Sequence, residues 1–317
     1  MPQQIHHPVD PRPLGGTGLL ASPITLGTSS LGAGTSSGDR EEAAAIELAQ
    51  AMLHGPYALV DTSNNYAKGR SEAVLGLALA NGGAAEGRSV VTKADQDPET
   101  GSFDRDRVRR SFEESCRRLG VDRLRLLHLH DPYSITFEEA AAPGGAIAGM
   151  LELKEEGLVD AIGIAAGTVS LMRQYVATGA FDVLLTHNRF TLVDRSALPL
   201  IEEAVEQGMG VFNAAPFGGG LLARGSASGA TYAYNDSPPE LLEWVARVEG
   251  LCAKHGIDLP TAALHFSLRS PLVDSTIVGI SSVKRIDQLE QARQAEVPPS
   301  FWEELDNLGT PPSPITD

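Results

Sequence analysis

Eight times along this chain a short apolar run gives way to a longer segment with apolar residues at helical spacing. The runs are PITLGT (23–28), YALVD (57–61), SVVTK (89–93), LRLLHLH (124–130), AIGIAA (161–166), DVLLT (182–186), GVFNAA (210–215) and STIVG (275–279). Short apolar runs of this kind predict buried strands. The segments between them predict helices over 40–53, 71–79, 104–119, 146–156, 170–177, 198–207, 239–255, 260–268 and 283–292. Strand–helix alternation predicts a parallel sheet. Eight such units in 317 residues predict an α/β fold, a single (β/α)8 TIM barrel forming one domain over 1–317. LGGTGLLAS, ahead of the first strand, reads as a hairpin turning at Gly15–Gly18. Three segments are long for simple connections: 94–105, 216–238 and the tail beyond 295. They are expected to wall the C-terminal face of the barrel. The glycine-rich stretches at 218–220 and 225–230 suit a mobile loop.

Polar residues punctuate the ends of these runs. Asp61 closes YALVD, Tyr66 follows shortly after, Lys93 closes SVVTK and His130 closes LRLLHLH. In a barrel the C-terminal strand ends meet on one face, so a carboxylate, a phenol, an ammonium and an imidazole converge there. That set suits moving a proton onto a carbonyl oxygen while a hydride arrives from elsewhere. A lysine ending a buried strand needs a partner, because an unpaired buried charge is costly, and Asp61 is the residue at hand. Lys93 near the Tyr66 hydroxyl is expected to draw the phenol down from its ordinary ~10 toward neutrality.

Other motifs compete. His128 and His130 are two apart on a strand and face the same side. An HxH pair at a strand end also begins some metal-dependent hydrolase sites. His187 is the one obvious further ligand, since His255 and His265 fall in predicted helices, and a structural role for His128 one layer deeper is the simpler reading. GTGLLA (16–21) fits G-x-G-x-x-A, but it follows no strand and opens no helix, so it is no dinucleotide fingerprint. ISSVKR (280–285) enters the last helix. Ser281 or Ser282 is expected to cap it, with Lys284 and Arg285 beside a phosphate-binding helix end.

The composition narrows the function classes. A net charge of -16 disfavours a broad nucleic-acid surface. Two cysteines, Cys116 and Cys252, make no disulfide framework, and both are expected to be buried thiols. No apolar run is long enough to span a bilayer, and MPQQIHHPVDPRP has no apolar signal core, so a cytoplasmic enzyme is expected. His6 and His7 form a metal-like pair in that proline-rich tail, where they read simply as tail. Oligomeric state is not legible.

The ordered series VDTSNNYAKGRSEAVLG, VVTK, LGVDRLRLLHLHDP, LKEEGLVDAIGIAAG, PFGGGLL and IVGISSVKRIDQLEQA resembles the aldo-keto reductase superfamily over nearly the whole chain. HLHDP and NRFTLVD are similar to its sugar 1-dehydrogenase and pyridoxal dehydrogenase branch. The resemblance implies a barrel that binds NADPH/NADP+ without a Rossmann domain and acts on a small carbonyl or sugar. It implies Tyr66 as proton donor and acceptor, Lys93 and Asp61 as its tuning pair, and His130 as the group that orients the substrate carbonyl. It implies cofactor contacts from Gly27, Thr28, Asp61 and Asn188, from Pro216, Phe217, Gly218 and Gly220 over the pyrophosphate, and from Ser281 and Arg285 at the adenosine phosphate. The usual carboxamide-holding Ser-Asn pair reads Ala165-Ala166 here, the Gln reads Asn188 or His187, and the stacking aromatic reads Ala214. The expected function is reduction of a small aldehyde or ketone. Oxidation of an aldose to its lactone, a non-catalytic NADP-sensing partner protein and a metal-dependent hydrolase are the alternatives.

Overall fold

A computed structural model describes residues 8–229, 231–233, 235–315 and 317. His6 and His7 lie outside the described residues. Eight parallel strands close into a barrel. They are β3 (Ile24–Gly27), β4 (Leu59–Asp61), β5 (Ser89–Ala94), β6 (Leu124–His130), β7 (Val159–Ala166), β8 (Val183–His187), β9 (Gly210–Ala214) and β10 (Ser275–Gly279). They pair in that order, and β10 closes the ring against β3. Each strand coincides with a predicted apolar run to within two residues. Ahead of them a short hairpin, β1 (Arg12–Pro13) and β2 (Leu20–Ala21), carries the predicted turn.

The outer layer is α1 (Arg40–Leu53), α2 (Arg70–Gly82), α3 (Arg105–Leu119), α4 (Phe137–Ala141), α5 (Ala146–Glu155), α6 (Val169–Ala177), α7 (Leu198–Glu206), α8 (Leu221–Arg224), α9 (Pro239–His255), α10 (Leu259–Leu268), α11 (Val283–Gln294) and α12 (Pro299–Asp306). Asp39, Asp104 and Asp258 cap α1, α3 and α10 by accepting a backbone N–H, each typically worth about 0.5–2 kcal/mol. The short helices α4, α8 and α12 were not predicted. Cys116 in α3 and Cys252 in α9 are buried free thiols. No helix among the described residues is long and apolar enough to cross a membrane.

Strand alternation splits the core in two. Outward residues such as Val60, Leu127 and Ile162 join the helices in one large cluster. Inward residues Leu59, Val91, Leu126, Val183, Phe212 and Ile277 form a second, which Leu14 and Leu19 of the hairpin join. The hairpin therefore plugs the N-terminal end, and the open end of the barrel is the C-terminal one.

One level above that floor His128 is fully buried, and its ring meets Phe212 edge-on with centroids 6.0 Å apart. Gly163 on the neighbouring strand makes room for it. A Cβ there would lie 2.2 Å from His128 Nδ1. Overpacking of this kind typically costs 1–3 kcal/mol. Gly163→Ala is therefore expected to lower the urea midpoint at unchanged slope, and an unchanged midpoint would show that the ring has room to move.

Candidate active site

Three successive strands present the polar set. β4 ends on Asp61, Lys93 is the penultimate residue of β5, and β6 ends on His130. Lys93 Nζ donates to both carboxylate oxygens of Asp61, at 2.8 and 2.7 Å, and to the Thr62 carbonyl at 2.6 Å. It also lies 4.5 Å from the centre of the Tyr66 ring. That ring meets His130 edge-on, with centroids 5.7 Å apart.

Tyr66 stands on a tight turn rather than a strand. The two residues after it, Ala67 and Lys68, have left-handed backbone, with φ of 51° and 56°. Such strain costs of order 1–3 kcal/mol per residue and needs support from its surroundings. Arg118 of α3 supplies it, donating from Nη1 to the Asn64 carbonyl at 2.8 Å and to buried Glu72 at 2.9 Å. Gly69 lets the guanidinium close on the turn, since a Cβ there would sit 2.7 Å from its central carbon.

The electrostatics correct one expectation. Burial pushes the Tyr66 hydroxyl up, and although Lys93 pulls it down, Asp61 pushes it up again, leaving it at about 12. The ammonium is bound to a carboxylate, so the pair carries little net charge toward the phenol and desolvation wins. Lys93 itself resists burial. Asp61 and then Tyr66 outweigh it and hold the ammonium above its ordinary value.

A second carboxylate governs His130. Asp95, just past β5, lies 2.7 Å from His130 Nδ1. It also accepts from Ser63 Oγ and from the Asn65 N–H at 2.9 Å. Burial lowers the imidazole, but Asp95 outweighs it and the ring sits above its usual value. With Nδ1 committed to Asp95, Nε2 is the nitrogen left for other partners. Sequence reasoning missed Asp95 and Ser63. Each lies two residues beyond a recognised one, Lys93 and Asp61, and that spacing was the available signal.

Asp61, Tyr66, Lys93 and His130 line a cavity of about 300 Å³ together with Gly27, Thr28, Asp131, His187, Asn188 and Ala214. The Thr28 hydroxyl is already engaged, donating to the Asp61 carbonyl at 2.8 Å. Asn188 is buried, has left-handed backbone (φ 59°) and has no hydrogen-bond partner for Oδ1 among the described residues. Of the two alanines in the Ser-Asn position, Ala165 belongs to the inward cluster and Ala166 to the outward one. Among the described residues no group of three His, Cys, Asp or Glu side chains is arranged to hold a metal ion.

The remaining predicted positions lie farther out. Pro216, Phe217, Gly218 and Gly220 continue from Ala215 at the rim and do not line the cavity. Tyr232, from the same long segment, is buried and donates to the Asn188 carbonyl at 2.8 Å. Ser281 lines a second depression of about 520 Å³ with Ser30, Gly32 and Ser282. Arg285 is exposed in the first turn of α11. Ser282 occupies the cap position of α11, but its side chain makes no capping hydrogen bond, contrary to expectation.

Residues 23–310 match the profile of the Aldo/keto reductase family. The chain is 32% identical to D-threo-aldose 1-dehydrogenase of a Pseudomonas species over 65% of this chain and 63% of that enzyme. It is 26% identical to pyridoxal 4-dehydrogenase of Microbacterium luteolum over 94% and 97%. An aldo-keto reductase from Bacillus halodurans, solved in its holo form, superposes with a TM-score of 0.78 at 21% identity, covering 98% of this chain and 99% of that one, which speaks for the barrel alone. The profile match across most of the chain, on a closed barrel, shows that this protein is an oxidoreductase belonging to the aldo/keto reductase family.

Proposed function

We propose that this enzyme moves a hydride between NADPH/NADP+ and a small carbonyl or alcohol carbon, with Tyr66 transferring the proton at oxygen. The observation that carries the reading is the adjacency of the two depressions along the chain. The first is lined by Thr28, Ser29 and Gly279, the second by Ser30, Leu31 and Ile280. Their linings adjoin along the chain at Ser29–Ser30 and Gly279–Ile280, which places the second depression, at the start of α11, next to the first, an arrangement suited to a dinucleotide. The unpartnered Asn188 Oδ1 suits a carboxamide N–H, and the α11 N-terminus, free of a side-chain cap, suits a phosphate.

The nicotinamide, when bound, supplies or accepts the hydride. His130 Nε2 orients the substrate oxygen by donating to it. Neutral Tyr66 gives that oxygen its proton during reduction, and Lys93 steadies the phenolate left behind. Run in reverse, the carbon loses a hydride and its hydroxyl proton passes to Tyr66, so a ring-closed aldose becomes its lactone. The name of the threo-aldose relative favours this direction.

The NADP preference rests on Lys284 and Arg285 in the first turn of α11, beside a second depression that Glu41 and Glu47 also line. Titration of wild type and Arg285→Ala with NADPH and NADH, followed by nicotinamide fluorescence, tests it. Loss of one charge-assisted phosphate contact is expected to weaken NADPH about 10–100-fold and leave NADH unchanged. Wild type that binds neither nucleotide would overturn the reading.

A further inference from the structure

Asp131 lines the cavity with chemistry that does not serve a bare carbonyl. It follows His130 directly and takes a left-handed backbone (φ 42°), pinned by its N–H to the Ala165 carbonyl at 2.9 Å. Oδ2 lies 3.6 Å from His130 Nε2, and Oδ1 lies 3.6 Å from His187 Nε2. Oδ1 is buried and has no partner within normal hydrogen-bond distance among the described residues, the His187 and Tyr133 side chains being the polar groups that bear on the carboxylate. His187 is held from its other nitrogen by Asn188 Nδ2 at 3.2 Å. Gly167 leaves its ring room, since a Cβ there would lie 2.8 Å from Cε1. Strained backbone at a cavity wall marks a side chain placed for function.

An ionised carboxylate only accepts hydrogen bonds. Burial pushes the Asp131 carboxyl up, but His187 and then His130 outweigh burial and keep it below its ordinary value. Beside a reacting oxygen that gains negative charge, such a group is repulsive. Beside a neighbouring hydroxyl it is a strong acceptor. The reacting oxygen must reach His130 Nε2, and Asp131 flanks that same nitrogen, so the group facing Asp131 belongs to the adjacent substrate carbon.

We propose that Asp131, with His187 beside it, forms a subsite for the hydroxyl next to the reacting carbon, and that the substrate class is a 2-hydroxylated aldose or aldehyde. This rests on the oxidoreductase reading above and deepens it. A charge-assisted hydrogen bond to that hydroxyl separates otherwise equal substrates by about 10–100-fold in kcat/KM.

The test uses pairs that differ only at that hydroxyl: lactaldehyde against propanal with NADPH, and D-arabinose against 2-deoxy-D-ribose with NADP+. Wild type is expected to favour the hydroxylated member of each pair by about 10–100-fold. Asp131→Ala should erase the preference by lowering that member alone. Asp131→Asn, which tolerates left-handed backbone and keeps one acceptor oxygen, should retain part of it and guards against a misfolded alanine variant. Equal turnover of both members by wild type, or equal loss of both in the variants, overturns the subsite and leaves the parent reading standing. If wild type binds nucleotide yet turns over neither member in either direction, the parent reading falls and the subsite with it.

Discussion

Tyr66→Phe is expected to lower turnover about 10²–10⁴-fold, the usual contribution of a positioned acid or base, while nicotinamide nucleotide binding stays at the wild-type level. The phenyl ring keeps the cation–π contact with Lys93 and the edge contact with His130, so the cavity keeps its shape and only the proton is lost. The electrostatics add a directional signature. With the hydroxyl pushed up to about 12 by burial, Tyr66 is neutral throughout the physiological range and is ready to donate. Reduction should therefore be insensitive to Tyr66 ionisation across neutral pH. Oxidation needs the phenolate and should rise with pH, because the deprotonated fraction grows tenfold for each pH step below that value. In the variant the oxidative rise should vanish together with the rate. Single-turnover hydride transfer, followed by nicotinamide absorbance against pH in both directions, checks this. Wild-type turnover in the variant would remove Tyr66 from the chemistry.

The barrel was legible because its strands are continuous apolar runs, each long enough to cross the barrel once and each followed by helical spacing. The unpredicted helices α4, α8 and α12 are short, and their stability comes from packing rather than from a periodic pattern. Within the site, the residues that end strands could be placed on one face by topology alone. For Asp95, Ser63 and Asp131 the spacing from a strand-ending residue gave only proximity, because each lies past its strand end, where the loop path decides which way a side chain turns. The Tyr66 hydroxyl shows a different limit. A lysine nearby in sequence logic predicts a lowered phenol, but the sign depends on how completely Asp61 neutralises that lysine and how far the ring is desolvated. Both are three-dimensional quantities.

The Lys93–Asp61 pair should dominate the stability of the polar end of the barrel. Both side chains are almost wholly buried, so removing one partner strands the other's charge in a low-dielectric site. Lys93→Met is expected to destabilise the fold by about 3–5 kcal/mol. Asp61→Asn should cost less, because the ammonium keeps the Thr62 carbonyl at 2.6 Å and the amide oxygen as acceptors. The double variant Lys93→Met/Asp61→Leu removes both charges and should recover most of the loss, since burying an ion pair contributes little net stability. Urea unfolding of wild type, Lys93→Met, Asp61→Leu and the double variant closes this cycle, and additive losses in the double variant would show that the two charges are independent. The alkaline limb of the pH dependence follows from Lys93, while Asp61, whose carboxyl burial holds above its ordinary value, acts only in the acid range. The folded value of Lys93 is raised, so its contribution is complete below the ordinary lysine range near ~10.4. It fades only as pH climbs through the folded value. Wild type should therefore hold this stability across neutral pH and lose it in strong alkali, and the double variant should show no such alkaline loss. Neither single variant nor the double should support hydride transfer at the wild-type rate, so the pair would be retained for chemistry at a site where apolar residues would fold equally well.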